Sequence, residues 1–303
     1  MLETFSQSRL QAAGSHEISD ALENAKIVYF PECPIALPDT GDLENLREQL
    51  PAQLKRKNAS YYPQSDQVYG LRKGTPLHSL SRRVLSNHSS MVSAFLVQTI
   101  PDLFHGAKIG TSSFRPLEER GRSLNRHASN ELIHVDAGAY GATNGNRVLR
   151  FFVNINPTED RVWVSKGSFG QLFEKYAEQA GLSGVGNDPG HLDKGAIGRL
   201  RTSILKGLSR IGLPQAIVID SSPYDRAMRK FHNFMKDTPT FQGDPVGRQE
   251  FRFPPFSAWM VFTDAVSHAC ISGRHALTLT CLVPLRNCRH PELAPFNILR
   301  LAS

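Results

Sequence analysis

Ile133-His-Val-Asp-Ala-Gly-Ala-Tyr-Gly141, followed by Arg147-Val-Leu-Arg-Phe-Phe-Val-Asn-Ile155, is the stretch on which the reading of the fold turns. The second segment is rich in β-branched and aromatic residues and stops at Asn156-Pro157, so it reads as a strand. Its partial alternation sets one face in a core and the other in a polar cavity. In the first segment His134 and Asp136 stand at i and i+2, which on an extended chain point to the same side. One imidazole and one carboxylate can therefore approach one metal ion beside a glycine-rich turn. A second histidine near the end of a β core would complete a two-His, one-carboxylate triad, with three metal positions left open. His268, in Phe262-Thr-Asp-Ala-Val-Ser-His-Ala269, fits that place. Taken alone, a His-x-Asp pattern recurs by chance, and a surface His beside a surface Asp is the plain alternative.

Arg150 strengthens the metal reading. An oxygenase that uses 2-oxoglutarate needs a cation for the distal carboxylate, and a planar guanidinium makes two parallel charge-assisted bonds. The alternative is an outward-facing strand arginine, a part that Arg147 could equally play.

Outward from these segments the chain is mixed. Ala25–Phe30 is a short β-type run, Asp42–Arg56 reads as a helix interrupted by Pro51, and residues 77–100 follow helical spacing. Beyond the central strand come helical segments at 169–180 and 195–208, a short strand at 216–220 and a helix at 224–236. The sequence then returns to β at 258–263 and 276–283. This pattern predicts one domain over 1–303, mainly β with helical decoration (α+β). A mixed region at 1–110 would pack on a β core at 111–290 carrying a helical insertion at about 165–215.

Composition bounds the function classes. The 303 residues carry 35 Lys and Arg against 28 Asp and Glu, a net charge of +7, and 40% are apolar. That describes a folded chain with an acidic partner rather than a disordered or fibrous one. The four cysteines form no CxxC pair and fit a reducing compartment. The N-terminus lacks a cationic leader followed by an apolar core, and no apolar run reaches bilayer length. Basic clusters such as Lys55-Arg56-Lys57 are short and without interleaved aromatics, which argues against nucleic acid.

Several ordered blocks resemble the Kdo hydroxylase family. They are Asn58-Ala-Ser-Tyr-Tyr-Pro63, Ser112-Ser-Phe-Arg-Pro116, Gly121-Arg122, His134-Val-Asp-Ala137, Arg147–Pro157, Ser222-Pro-Tyr-Asp225, Phe231-His232 and Phe262–Ala269. The resemblance implies a double-stranded β-helix (a jelly-roll or cupin-like core) and an Fe(II)- and 2-oxoglutarate-dependent dioxygenase. Such an enzyme consumes O2, with ascorbate as a further cofactor, and hydroxylates the deoxy carbon of Kdo in lipopolysaccharide. It implies His134, Asp136 and His268 as iron ligands and catalytic centre. Arg150 then anchors 2-oxoglutarate, and Arg115 is a second arginine facing cosubstrate or sugar carboxylate; which serves which stays open. Asn154 is a further cavity candidate, with a turn cap as the alternative.

A cytoplasmic enzyme, peripheral on an anionic inner membrane face, would suit that substrate and the basic charge. The sequence departs from the family pattern at Gly138–Gly141, at Gly273-Arg274 and over 164–214. Another acidic small molecule, or a non-catalytic barrel that binds acidic sugars, therefore remains as an alternative.

Overall fold

The computed structural model describes residues 1–55, 57–138, 142–185, 192 and 222–302. Eleven strands are present among them: β1 (Leu2–Thr4), β2 (Ile27–Phe30), β3 (Ala59–Tyr62), β4 (Gln67–Tyr69), β5 (Lys108–Arg115), β6 (Arg147–Asn154), β7 (Arg161–Ser165), β8 (Gln249–Phe253), β9 (Ala258–Phe262), β10 (Ala269–Ser272) and β11 (Ala276–Val283). Eight form one sheet in the order β1-β2-β9-β6-β11-β5-β3-β4, and three form a second in the order β10-β7-β8.

The strand expected at 147–155 lies at the middle of the large sheet, antiparallel to both β9 and β11. Its alternation works as the sequence suggests. Leu149, Phe151 and Val153 enter a core with Met260 and Leu279 under the helix Pro76–Thr99, which contributes Val84, Leu85, Val92 and Leu96. Arg150 and Phe152 point the other way, between the sheets. There Phe152, Trp259 and Val261 meet Trp163 and Phe253 of the small sheet, and the Phe253 and Trp259 rings stack at 3.8 Å. The outer face of the small sheet is covered by the helices Phe169–Tyr176 and Pro223–Asp237. Two facing sheets with helices outside each make the jelly-roll-type core of a double-stranded β-helix.

Helix starts follow local chemistry. Thr75 caps Pro76–Thr99 by accepting from His78 N, and Ser222 forms a capping box with Asp225 ahead of Pro223–Asp237. The helix expected at 42–56 runs Thr40–Gln53 and tolerates Pro51 in its last turn. The segments expected at 195–208 and 216–220 lie outside the described residues. Strands β3, β5, β7 and β8 carry weak sequence signals, because the inner face of β5 is polar and the others are short. No described helix is long and apolar enough to cross a membrane.

His88 is buried in the helix Pro76–Thr99 with no hydrogen-bond partner at Nε2 among the described residues, and burial pushes its imidazolium down to about 4. The folded value lies below the unfolded one, so the unfolded chain takes up the proton first as pH falls. Stability from this group is therefore present above about pH 6.5 and lost between there and about 4. Replacing His88 with Met is expected to flatten this part of the stability–pH curve, as read by urea midpoints between pH 7 and 4.

Candidate metal centre

His134 and His268 face each other across an isolated antiparallel bridge. His134 N donates to His268 O at 3.0 Å and His268 N donates back to His134 O at 2.8 Å. This short ladder sets the imidazoles side by side, ring centroids 4.7 Å apart. Asp136 N donates to Thr263 O at 2.8 Å, which fixes the third side chain beside them.

Each ring is also oriented by its own chain. His134 Nδ1 donates to Leu132 O at 2.7 Å, and His268 Nδ1 donates to Val266 O at 2.9 Å. The proton is thereby placed on Nδ1, and the Nε2 lone pairs are left to face the carboxylate. His134 Nε2 lies 3.8 Å from Asp136 Oδ1, and the three potential ligand atoms lie within 4.8 Å of one another.

The electrostatics suit a divalent ion. Burial pushes His268 down to about 4 and holds His134 well below its ordinary value, with His268 adding to the effect. Both rings are neutral near pH 7, as metal ligation requires. Burial alone would raise the Asp136 carboxyl, but Arg150, followed by His268, holds it far below the usual carboxylate range. Two neutral imidazole nitrogens and one carboxylate oxygen fit Fe(II), with no thiolate to draw a softer metal. Cys270 lines the same cavity, but its thiol points to Ser272 O at 3.3 Å and burial pushes it up to about 11.

Neighbours lock the ligands. The Trp163 ring stacks on His268 at 5.1 Å, and the His232 ring meets His134 edge-on at 5.0 Å. His232 Nδ1 donates to Val135 O at 2.7 Å, while Lys236 Nζ donates to the carbonyls of His127 and Ser129, each at 2.8 Å. Tyr224, His232 and Lys236 stand at i, i+8 and i+12 on the helix Pro223–Asp237, a spacing that would let them share one polar face. In the structure Tyr224 is buried, and the other two brace the strand and loop that carry His134.

The triad borders a cavity of about 260 Å³ whose walls include Arg115 and Arg150. Arg150 Nη2 lies 2.8 Å from Asp136 Oδ2, and Arg150 Nε has no partner among the described residues. Arg115 stands 5.7 Å over the Phe152 ring, also with an unpartnered Nε, and burial followed by Arg150 lowers it to about 10. Two guanidiniums with unmet donors in a small cavity make a receptor for carboxylates.

Asn154 is elsewhere. Its amide donates to Glu159 O and Phe253 O, each at 2.9 Å, and its carbonyl accepts from Asn156 N, so it ties a turn instead of lining the cavity. Asp264 does not face the His134, Asp136 and His268 cluster either; it pairs with Arg147 at 2.7 Å and accepts from Val148 N. Sequence reasoning missed Trp163, which lines the cavity, and the buried pair Glu119–Arg161, at 3.2 Å, whose carboxylate accepts from the cavity-lining Asn130 amide at 3.0 Å. Neither carries a local motif, and only the pairing of distant strands brings them here.

A jelly-roll core with two neutral histidines and one carboxylate, opening on an arginine-walled cavity, defines the class: a non-haem iron oxygenase of the 2-oxoglutarate-dependent kind. The family model for 3-deoxy-D-manno-oct-2-ulosonic acid (Kdo) hydroxylase matches residues 6–303. The chain belongs to the Kdo hydroxylase family. Among solved structures it is similar to apo KdoO, described as a non-haem Fe(II), α-ketoglutarate-dependent Kdo hydroxylase. That match has 26% identity and a TM-score of 0.79, covering 99% of this chain and 95% of that one. It is equally similar to KdoO in complex with α-ketoglutarate and Fe(III), at 26% identity and a TM-score of 0.80, with the same coverage. A cobalt(II) complex of KdoO matches with the same identity and TM-score. No curated protein sequence matches.

Proposed function

We propose that this enzyme hydroxylates an unactivated C–H of an acidic sugar, the deoxy carbon of Kdo in lipopolysaccharide. The carrying observation is the cluster His134, Asp136 and His268 opening on a cavity whose two arginines have unmet donors. His134, Asp136 and His268 would hold Fe(II). When bound, the iron with 2-oxoglutarate and O2 supplies an oxidant for the C–H bond and releases succinate and CO2.

The protein's own contribution is position. The Nδ1 bonds of the two histidines keep their Nε2 atoms aimed at one point. Phe152 and Trp163 supply an apolar wall beside the histidines in a cavity that is otherwise polar. Arg150 orients Asp136 and offers its remaining donors to 2-oxoglutarate, with Arg115 completing the carboxylate receptor. The basic charge of +7 further supports peripheral contact with an anionic membrane that bears the substrate.

Arg150→Ala is expected to raise the KM for 2-oxoglutarate by about tenfold to a hundredfold, the worth of a charge-assisted pair. An unchanged KM would move the anchor to Arg115. The proposed activity is tested by succinate release from anaerobically reconstituted enzyme on admitting air, with and without a Kdo-bearing glycolipid. Stimulation by the glycolipid supports the reading, and equal rates with and without it oppose it.

A further inference from the structure

The cavity is longer than its cosubstrate needs. Its walls run from Arg150 on β6, across Thr278 on β11 and Ser113 on β5, to Ser60 on β3. In the sheet order β6-β11-β5-β3 the end strands stand three spacings apart, about 14 Å at ~4.8 Å per strand. A five-carbon diacid held between the metal ligands and the two arginines does not fill that length.

The far end has its own chemistry. Lys57 and Asn58, just ahead of β3, line the cavity there. Asn58 Oδ1 is buried without a hydrogen-bond partner among the described residues. Lys57 Nζ donates to Ala128 O at 2.8 Å, which leaves two ammonium hydrogens unused. Glu119, whose charge it feels, is already committed to Arg161 at 3.2 Å and Arg122 at 3.5 Å. Among the described residues no carboxylate lies within ion-pairing distance of Lys57. Ser60 Oγ and Ser113 Oγ, 2.9 Å apart, add hydroxyls to the same wall.

We infer that Lys57 is the receptor for the substrate's carboxylate and that Asn58 accepts a hydrogen bond from a substrate hydroxyl, so that this wall selects sugar acids over neutral sugars. The inference rests on the sugar-acid reading above and assigns its recognition to residues outside the metal and 2-oxoglutarate sites. Burial, with Arg115 next in effect, pulls the Lys57 ammonium down to about 7, and an incoming carboxylate restores the charge. Arg150 and Arg115 then serve the distal carboxylate of 2-oxoglutarate, and Lys57 serves the carboxylate of the sugar.

The test uses the Fe(II)-reconstituted enzyme with a Kdo-bearing glycolipid and its carboxyl-reduced counterpart. Wild type is expected to favour the acid over the neutral analogue by at least about tenfold in kcat/KM. Lys57→Met is expected to raise KM for the acid about tenfold and abolish that preference, while KM for 2-oxoglutarate moves less than twofold. Lys57→Arg is expected to regain part of the preference. Loss of the Ala128 contact alone would weaken both glycolipids equally and leave the preference intact, which would overturn the assignment. A changed KM for 2-oxoglutarate with an unchanged KM for the acid would also overturn it. Wild type that forms succinate but hydroxylates neither glycolipid would overturn the sugar-acid reading and this inference together.

Discussion

Replacing either His134 or His268 with alanine is expected to lower succinate formation by at least about a thousandfold, equivalent to roughly 4 kcal/mol of barrier. Either change removes one of only two nitrogen donors from a cluster whose atoms lie within 4.8 Å. The carboxylate and one imidazole that remain hold a first-row ion far less tightly. The fold should survive, because the two residues are joined through their backbones at 3.0 and 2.8 Å, and alanine keeps both bonds. Calorimetric titration with Fe(II) or Co(II) under argon, beside far-ultraviolet dichroism, separates the effects. Weak metal binding with a native spectrum is expected. Native-like affinity in either variant would remove that histidine from the metal site.

The second large effect is on stability. Asp264→Ala is expected to destabilise the protein by roughly 3–5 kcal/mol, the usual consequence of leaving a buried charge without its partner. Arg147 is 0% exposed and packs 4.1 Å over the Phe262 ring, with Asp264 as its ion-pair partner. Asp264 also accepts from Val148 N at 3.0 Å and so ties β6 to the segment that leads into His268. Urea unfolding reads the loss. Replacing both charges, as Arg147→Met with Asp264→Leu, should recover much of it, because no lone charge then remains. A shift of less than about 1 kcal/mol for Asp264→Ala would mean that water reaches Arg147.

What the sequence shows and what it hides follow from how locally each feature is encoded. His134 and Asp136 are legible because i and i+2 on a strand share a side, and β6 is legible because Leu149, Phe151 and Val153 alternate with inward residues. His268 is legible only as a histidine beside a β segment; its bridge to His134 is a tertiary pairing. Asn154 looks the same in sequence whether it lines a cavity or ties a turn, and the nearby carbonyls of Glu159 and Phe253 decide for the turn. The helix Pro223–Asp237 has an evident polar stripe, yet spacing cannot tell that His232 and Lys236 meet backbone carbonyls. β5 was hidden because Thr111, Ser113 and Arg115 face a cavity, so its alternation is polar where a core strand would be apolar.

The most direct measurement is oxygen incorporation. The enzyme, reconstituted with Fe(II) and supplied with 2-oxoglutarate and a Kdo-bearing glycolipid, is exposed to isotopically labelled O2, and the sugar is analysed by mass spectrometry. One labelled oxygen on the deoxy carbon of Kdo is expected for each succinate formed. Succinate without labelled sugar, or labelled product from wild type and His134→Ala alike, would contradict it.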